Sequence, residues 1–113
     1  MILYGIPNCD TVKRARAWLQ QQGRDVQFHD FKKAGVPSDR LDAWMEALGW
    51  ERLLNRHGTA WRKLDDTLRA GVTDARSARR VMLAYPSMIK RPVVDWAGGD
   101  FTVGFDASDW TGR

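Results

Sequence analysis

The only cysteine of the chain, Cys9, lies in the segment 5–11 (GIPNCDT), between an apolar run and a stretch with helical spacing. Residues 2–4 are predicted to form a short buried strand, and apolar residues recur on one helix face from Asp10 onward. Cys9 is therefore expected at or just before a helix N-terminus, where unpaired N–H groups and the helix dipole stabilise a thiolate. The pKa of a free cysteine is ~8.5, and such positions lower it to roughly 3.5–7.5, so Cys9 is a candidate nucleophile at neutral pH.

The neighbours of Cys9 indicate how its thiol is used. Basic residues on the following turns are expected to add positive field: Lys13, Arg14 and Arg16. The alternative is a buried structural thiol. The loop-forming and helix-capping residues around Cys9 favour the reactive interpretation: Pro7, Asn8, Asp10 and Thr11. For Asn8 and Thr11 we expect helix capping rather than a hydrogen bond to the thiolate.

The bulk composition limits the class of protein. With 113 residues, 43% of them hydrophobic, we expect one domain over residues 1–113 with a substantial core. No segment approaches the ~20 apolar residues of a transmembrane helix, so a cytoplasmic protein with no membrane partner is expected. One cysteine forms no internal disulfide, which fits a reducing compartment.

The charge pattern favours small anionic ligands over polymers. The chain has 18 basic and 14 acidic residues, a formal net charge of +4, and no long basic run, so nucleic-acid binding is not expected. A predicted helix carries a basic ridge of Arg76, Arg79 and Arg80, for which a solvated face is favoured over docking to an acidic partner. The cysteine and two histidines lack metal-ligand spacing, so no metal is expected.

The order of predicted elements indicates an α/β fold. The chain opens β-α-β, continues through a helical block, and ends with a hairpin over 93–103 and a short helix. Right-handed crossover geometry makes the first two strands parallel neighbours, with Cys9 at the carboxyl end of the first. Pro92 precedes the third strand. Its peptide bond is either cis or an ordinary strand entry, and spacing alone favours the ordinary one.

Three separated motifs carry a resemblance. The segments 4–15 (YGIPNCDTVKRA), 53–59 (LLNRHGT) and 86–94 (PSMIKRPVV) together resemble the ArsC/Spx family of thioredoxin-fold proteins, and most of all its YffB branch. The resemblance extends over essentially the whole chain. It implies a thioredoxin-like, small mixed four-stranded sheet with an all-helical insertion at about residues 31–85.

The resemblance also implies a site and an activity. Cys9 matches the nucleophile of the family, Arg91 the arginine before a cis-proline, Pro92, and Arg56 a further basic residue in a loop. The implied function is that of a monomeric, glutathione-dependent thiol reductase. Glutathione is the expected co-substrate, with its carboxylates held by Arg56 and Arg91 and its peptide portion by the backbone beside Pro92.

Two alternatives remain, and two departures from the family pattern bear on them. One is a glutathione-linked arsenate reductase, but the segment 103–106 (VGFD) lacks the arginine that such enzymes carry after the last strand. The other is a non-catalytic regulator that binds RNA polymerase, as Spx does. Such regulators usually carry Cys-x-x-Cys, and here Val12 occupies the second cysteine position, so an internal dithiol switch is excluded.

Overall fold

The computed structural model describes all residues, 1–113, and contains four strands and eight α-helices. In chain order the elements are β1 (Ile2–Gly5), α1 (Asp10–Gln21), β2 (Gln27–Asp30), α2 (Phe31–Ala34), α3 (Ser38–Leu48), α4 (Trp50–Leu53), α5 (Thr59–Arg62), α6 (Asp66–Ala70), α7 (Ala75–Ala84), a 3-10 helix (Pro86–Met88), β3 (Val93–Asp95), β4 (Phe101–Val103) and α8 (Ala107–Thr111). They form two compact units. The sheet unit comprises Met1–Ala34 and Arg91–Arg113, and the helical unit comprises Gly35–Lys90.

The sheet unit holds one mixed four-stranded sheet in the order β2-β1-β3-β4. β1 pairs in parallel with β2, as the crossover argument predicts, and antiparallel with β3. β3 and β4 form the predicted hairpin, with Val94 opposite Thr102. These findings confirm the α/β class and the small mixed four-stranded sheet.

The core of the sheet unit forms where α1 and α8 cover one face of the sheet. Its fully or nearly fully buried members are Leu3, Val12, Ala15, Leu19, Val94 and Trp110. The α1 members lie three to four positions apart, which places them on one face of the helix. Trp110 packs edge-on against the rings of Trp96 and Phe105, with centroid distances of 5.1 and 4.8 Å. Together these side chains cover the apolar face of the sheet, and Cys9 packs against this core.

The helical unit has a separate set of buried apolar side chains. They are Leu41, Trp44, Leu53, Leu54, Ala78, Val81, Met82, Met88 and Ile89. An exposed ion pair joins its two longest helices, because the Arg79 guanidinium donates to the Asp42 carboxylate with bonds of 2.6 and 3.3 Å. Residue type predicts Thr73 or Asp74 at the start of α7, and Asp74 is its N-cap, with a carboxylate that accepts from the Ser77 N–H at 2.9 Å in a capping box.

Several predicted boundaries are wrong by a few residues. The sequence of residues 32–37 (KKAGVP) predicts a loop, yet Phe31–Ala34 is a helical turn, favoured by the Asp30 carboxylate that accepts from the Lys32 N–H at 2.8 Å. Residue type predicts Ser38 as the cap of the next helix, but Ser38 is the first residue of α3, and Pro37 occupies the capping position. The assignment of the whole chain to a single domain stays a prediction.

The buried Trp110 supports a prediction about stability. Trp110 is 1% exposed, so Trp110→Ala is expected to lower the free energy of unfolding by about 3–5 kcal/mol through lost burial and a cavity. Urea denaturation followed by far-UV circular dichroism measures this change. The control Leu68→Ala removes a side chain that is 42% exposed, and it should cost less than about 0.5 kcal/mol. Equal losses in the two variants would contradict the packing argument.

Candidate active site

Cys9 occupies the N-cap position of α1, as the sequence predicts. Its backbone is extended, with φ of −104° and ψ of 123°, and its carbonyl accepts the Lys13 N–H at 2.9 Å. The side chain is half-buried and packs against the core of the sheet unit. The thiol is therefore partly exposed and not fully buried.

The close packing of β1 against α1 fixes where this N-terminus lies. A Cβ atom added to Gly5 would stand 2.8 Å from Cγ2 of Val12, which is shorter than any ordinary carbon contact. Glycine at position 5 therefore allows the end of β1 to approach the first turn of α1. The short loop between them then holds Cys9 at the carboxyl end of β1, the edge at which open α/β sheets bind ligands.

The antiparallel pairing of β1 with β3 places Arg91 at the same edge. Tyr4 lies opposite Val93, so the residues that precede β3 run alongside the end of β1. The Arg91–Pro92 peptide bond is cis, which is the family form and not the ordinary strand entry that spacing alone favoured. The carbonyl of Pro92 accepts the Gly104 N–H at 2.9 Å, which joins this segment to the end of β4.

The pKa of the Cys9 thiol is lowered from its ordinary value by groups from both segments. Partial burial raises the pKa, because the charged form loses solvation. The backbone N–H of Val12, hydrogen bonding and charge attraction from the Arg91 side chain, and the N–H of Thr11 together outweigh it. The site therefore favours the thiolate, the form of cysteine that attacks sulfur and other electrophiles.

The cation that stabilises the thiolate is not one of those expected from the neighbouring sequence. We predicted that Lys13, Arg14 and Arg16 supply positive field, but the cationic side chain of the sheet unit that lowers the Cys9 pKa is Arg91. Lys13 and Arg14 are exposed on α1. The Arg16 guanidinium lies over the Phe28 ring, 4.2 Å from its centroid, and so faces β2.

Asn8 and Thr11 do not cap α1 as predicted. Asn8 is exposed in the turn before Cys9, and the helix has no side-chain cap with ordinary hydrogen-bond geometry. The N–H groups of the first turn are thus left to stabilise negative charge on Cys9, and Thr11 takes part through its backbone. The Val12 N–H was not predicted from the sequence. The position of Cys9 as N-cap was the available signal, because an N-cap side chain faces the second and third N–H groups of its helix.

Arg56 belongs to the helical unit. It is exposed after α4, and its guanidinium lies 5.2 Å from the centroid of the Trp50 ring. In the sheet unit, the structure brings together Cys9, Arg91 and the backbone of Thr11.

The segment after β4, where arsenate reductases carry an arginine, has structural roles here. Gly104 adopts a φ of +84°, which glycine accepts without strain. Phe105 packs against Trp110, and the Asp106 carboxylate caps α8 by accepting the Ser108 N–H at 3.0 Å. This segment therefore offers a bound anion no positive charge.

Two further features concern the whole chain. No group of three or more His, Cys, Asp or Glu side chains is placed to hold a metal ion. None of the helices combines the length and apolar character needed to cross a membrane.

Comparison with known proteins places the chain. The model of the ArsC family matches residues 4–112. An uncharacterized protein of Haemophilus influenzae is 33% identical over 108 residues, which cover 96% of this chain and 93% of that one. The solved YffB protein is 43% identical with a TM-score of 0.93, covering 98% of this chain and 96% of its own. A solved arsenate reductase (ArsC) related protein from Brucella melitensis is 48% identical with a TM-score of 0.76, covering 98% and 91% of the two chains.

The sheet order, the helix that follows β1 and the cysteine at its N-terminus define a thioredoxin-like α/β protein with a one-cysteine site. The chain belongs to the ArsC family, and its solved relatives include YffB.

The geometry of the site predicts how the reactivity of Cys9 depends on Arg91. Arg91→Met removes a hydrogen bond and a charge while burial remains, so the pKa of Cys9 should rise and alkylation at neutral pH should slow. Iodoacetamide alkylation measured across a pH series reports this pKa, because only the thiolate reacts. In the unsubstituted protein the midpoint should lie below the ~8.5 of a free cysteine.

Arg14→Met is the matched control, since it removes the same charge from an exposed position of α1. It should leave the alkylation midpoint where it is. If both variants move the midpoint equally, the general positive field and not the Arg91 contact controls the thiolate.

Proposed function

We propose that the protein is a glutathione-dependent thiol reductase that uses Cys9 as its single nucleophile. The observation that carries the proposal is the place of Cys9, a partly exposed thiol at the N-cap of α1, where backbone N–H groups and the Arg91 side chain lower its pKa. Thiol–disulfide exchange needs a thiolate, an accessible disulfide sulfur and a second thiol to complete the cycle. The chain has no other cysteine, so the second thiol must come from another molecule.

The first step is attack of the Cys9 thiolate on a mixed disulfide between glutathione and a substrate thiol. A bond forms between Cys9 Sγ and the glutathione sulfur, and the disulfide bond of the substrate breaks. The substrate sulfur leaves with the electron pair and takes a proton from solvent. The substrate is thereby reduced to its thiol, and Cys9 is held in a mixed disulfide with glutathione.

The second step returns Cys9 to its thiolate form. The thiolate of a second glutathione attacks the glutathione sulfur of the mixed disulfide, glutathione disulfide forms, and Cys9 leaves with the electron pair. In the net reaction, the mixed disulfide of the substrate and one free glutathione become the substrate thiol and glutathione disulfide, so the second glutathione is the reductant. A low pKa of Cys9 assists this step as well, because a thiol of low pKa is the better leaving group.

Arg91 has two successive roles in this cycle. Before reaction, its guanidinium stabilises the Cys9 thiolate. Once the mixed disulfide has formed, the sulfur carries no charge, and the guanidinium then attracts a glutathione carboxylate, which it matches in geometry. We propose the backbone beside Pro92 as the contact of the peptide portion, as the family resemblance implies.

The charge of the site favours a disulfide over arsenate. Arsenate at neutral pH is a multiply charged anion, and its reduction requires fixed cations at each developing charge. The segment 103–106 supplies an aromatic ring and a carboxylate where arsenate reductases place an arginine. The name of the Brucella relative, arsenate reductase (ArsC) related protein, keeps arsenate reduction as the second candidate.

The test compares the unsubstituted protein with Cys9→Ser. With the mixed disulfide of glutathione and 2-mercaptoethanol as substrate, glutathione disulfide formation is followed through glutathione reductase and NADPH. The unsubstituted protein should accelerate the exchange, and Cys9→Ser should fall to the uncatalysed rate, because a hydroxyl does not form the mixed disulfide. Mass spectrometry of the protein quenched with acid should find glutathione on Cys9.

Arg14→Met serves as the active control, and far-UV circular dichroism confirms that each variant is folded. Arsenate tested in the same coupled assay decides between the two candidates, since faster turnover with arsenate than with the disulfide would replace the first with the second. A folded protein that turns over neither substrate would exclude both reductase activities and favour a regulator that acts by binding RNA polymerase.

A further inference from the structure

The basic ridge of α7 has features that a solvated helix face does not require. Arg76 and Arg80 are exposed and lie four positions apart, so their guanidinium groups are neighbours on one side of the helix. Like charges at this spacing destabilise an isolated helix. The two positive charges therefore lower the stability of α7, and a bound group of negative charge would offset this effect.

The rest of the helical unit provides only part of this compensation, through the charge of Asp74. Arg79, the third basic residue of the ridge, is held by the Asp42 carboxylate with bonds of 2.6 and 3.3 Å. Neither Arg76 nor Arg80 makes an ion pair, and Asp74, the carboxylate that attracts them, is already bound to the N–H and hydroxyl of Ser77 in the cap of α7. Two guanidinium groups thus face solvent with their donors available.

Two hollows with apolar lining residues border this part of α7, and Arg80 lines both of them. A groove of about 460 Å³ is lined by the three arginines together with Leu83 and Ala84. A second hollow, of about 110 Å³, adjoins Arg80, and Leu68, Val72 and Val81 are among its lining residues. Leu68 is 42% exposed and is one of the two large hydrophobic side chains that the chain exposes.

We propose that this surface, defined by Arg76, Arg80, Leu83 and Leu68 and here called the α7 face, docks an acidic, amphipathic helical segment of a partner protein. Two carboxylates one turn apart on such a helix match the spacing of Arg76 and Arg80. A leucine one turn further along reaches the apolar part of the groove. The charge complementarity gives orientation, and the apolar contacts beside the arginines exclude water from the pairs.

The apolar surroundings of the arginines favour a protein over a nucleic acid. A phosphate backbone is met by rows of cations and polar groups, and single-stranded bases by exposed aromatic rings. The α7 face instead offers aliphatic side chains, which contribute to binding when they contact other apolar side chains. The proposal is independent of Cys9, so it stands or falls separately from the reductase activity.

The experiment measures binding of a fluorescein-labelled helical peptide by fluorescence anisotropy. The peptide carries glutamates at i and i+4 and leucine one turn later, and two further peptides replace the glutamates by glutamine or the leucine by serine. The full chain should bind the first peptide about tenfold or more tightly than either of the others. Arg76→Glu/Arg80→Glu should weaken binding of the first peptide about tenfold or more. Leu68→Ser should weaken it to a smaller extent.

Lys32→Glu/Lys33→Glu is the matched control, because it reverses two exposed charges of the sheet unit and changes the formal net charge equally. It should bind the first peptide as the unsubstituted protein does. Equal weakening in both double variants, or equal affinity for the leucine and serine peptides, would overturn the proposal in favour of unspecific charge attraction. Displacement of the peptide by a single-stranded oligonucleotide that binds more tightly would overturn it in favour of a nucleic acid.

Discussion

The stabilisation of negative charge on a sulfur at the start of a helix is the interaction on which the sheet unit depends for its chemistry. Burial opposes that charge, and the N–H groups of Val12 and Thr11, together with the Arg91 side chain, overcome the opposition. The N–H groups belong to the helix that Cys9 itself begins, whereas Arg91 depends on the pairing of β1 with β3, which brings it alongside the loop that carries Cys9. The sheet thus joins two distant parts of the chain into one electrostatic unit. Glycine at position 5 allows the end of β1 to pack closely against the first turn of α1.

The same stabilisation has opposite effects on attack and departure of the sulfur. Lowering the pKa of a thiol raises the fraction present as thiolate but reduces the intrinsic nucleophilicity of each thiolate. A one-cysteine cycle uses its sulfur first as attacking group and then as leaving group, so a lowered pKa costs something in the first step and gains in the second. A dithiol protein can divide these tasks between two sulfurs. With Val12 buried at the second position, this chain has one thiol to tune for both.

The sequence predicted those parts of the site that are local in the chain. Helical spacing after position 10 and the turn-forming residues before it placed Cys9 at an N-terminus, and Asp74 marked the start of α7 through its capping chemistry. The predicted source of the positive charge near Cys9 was wrong. Arg16 follows Cys9 closely in sequence, but its side chain lies over the Phe28 ring. The helix sets the direction in which each side chain points, so a residue near Cys9 in sequence does not have to face its thiol. Periodicity reports which residues share a face, and it does not report which distant strand end will lie beside that face. Arg91 was predicted from the family resemblance, and the role of the Val12 N–H was predicted neither from periodicity nor from the resemblance.

The helical turn α2 was not predicted for a related reason. Its segment is too short to show periodicity, and one hydrogen bond to the Asp30 carboxylate favours the turn.

The two arginines of the α7 face and the arginine of the site show two different uses of one side chain. Arg91 lies at a half-buried position, where its charge acts on a single sulfur and is little screened. Arg76 and Arg80 are exposed, so their charge alone gives little affinity in water. An exposed guanidinium gains strength when a partner excludes the solvent around it, and that requires apolar surface close by. The hollows next to Arg80 provide such surface. The strength of such ion pairs therefore depends less on the number of arginines than on the aliphatic side chains beside them. Those side chains determine how far a carboxylate that binds to α7 is shielded from water.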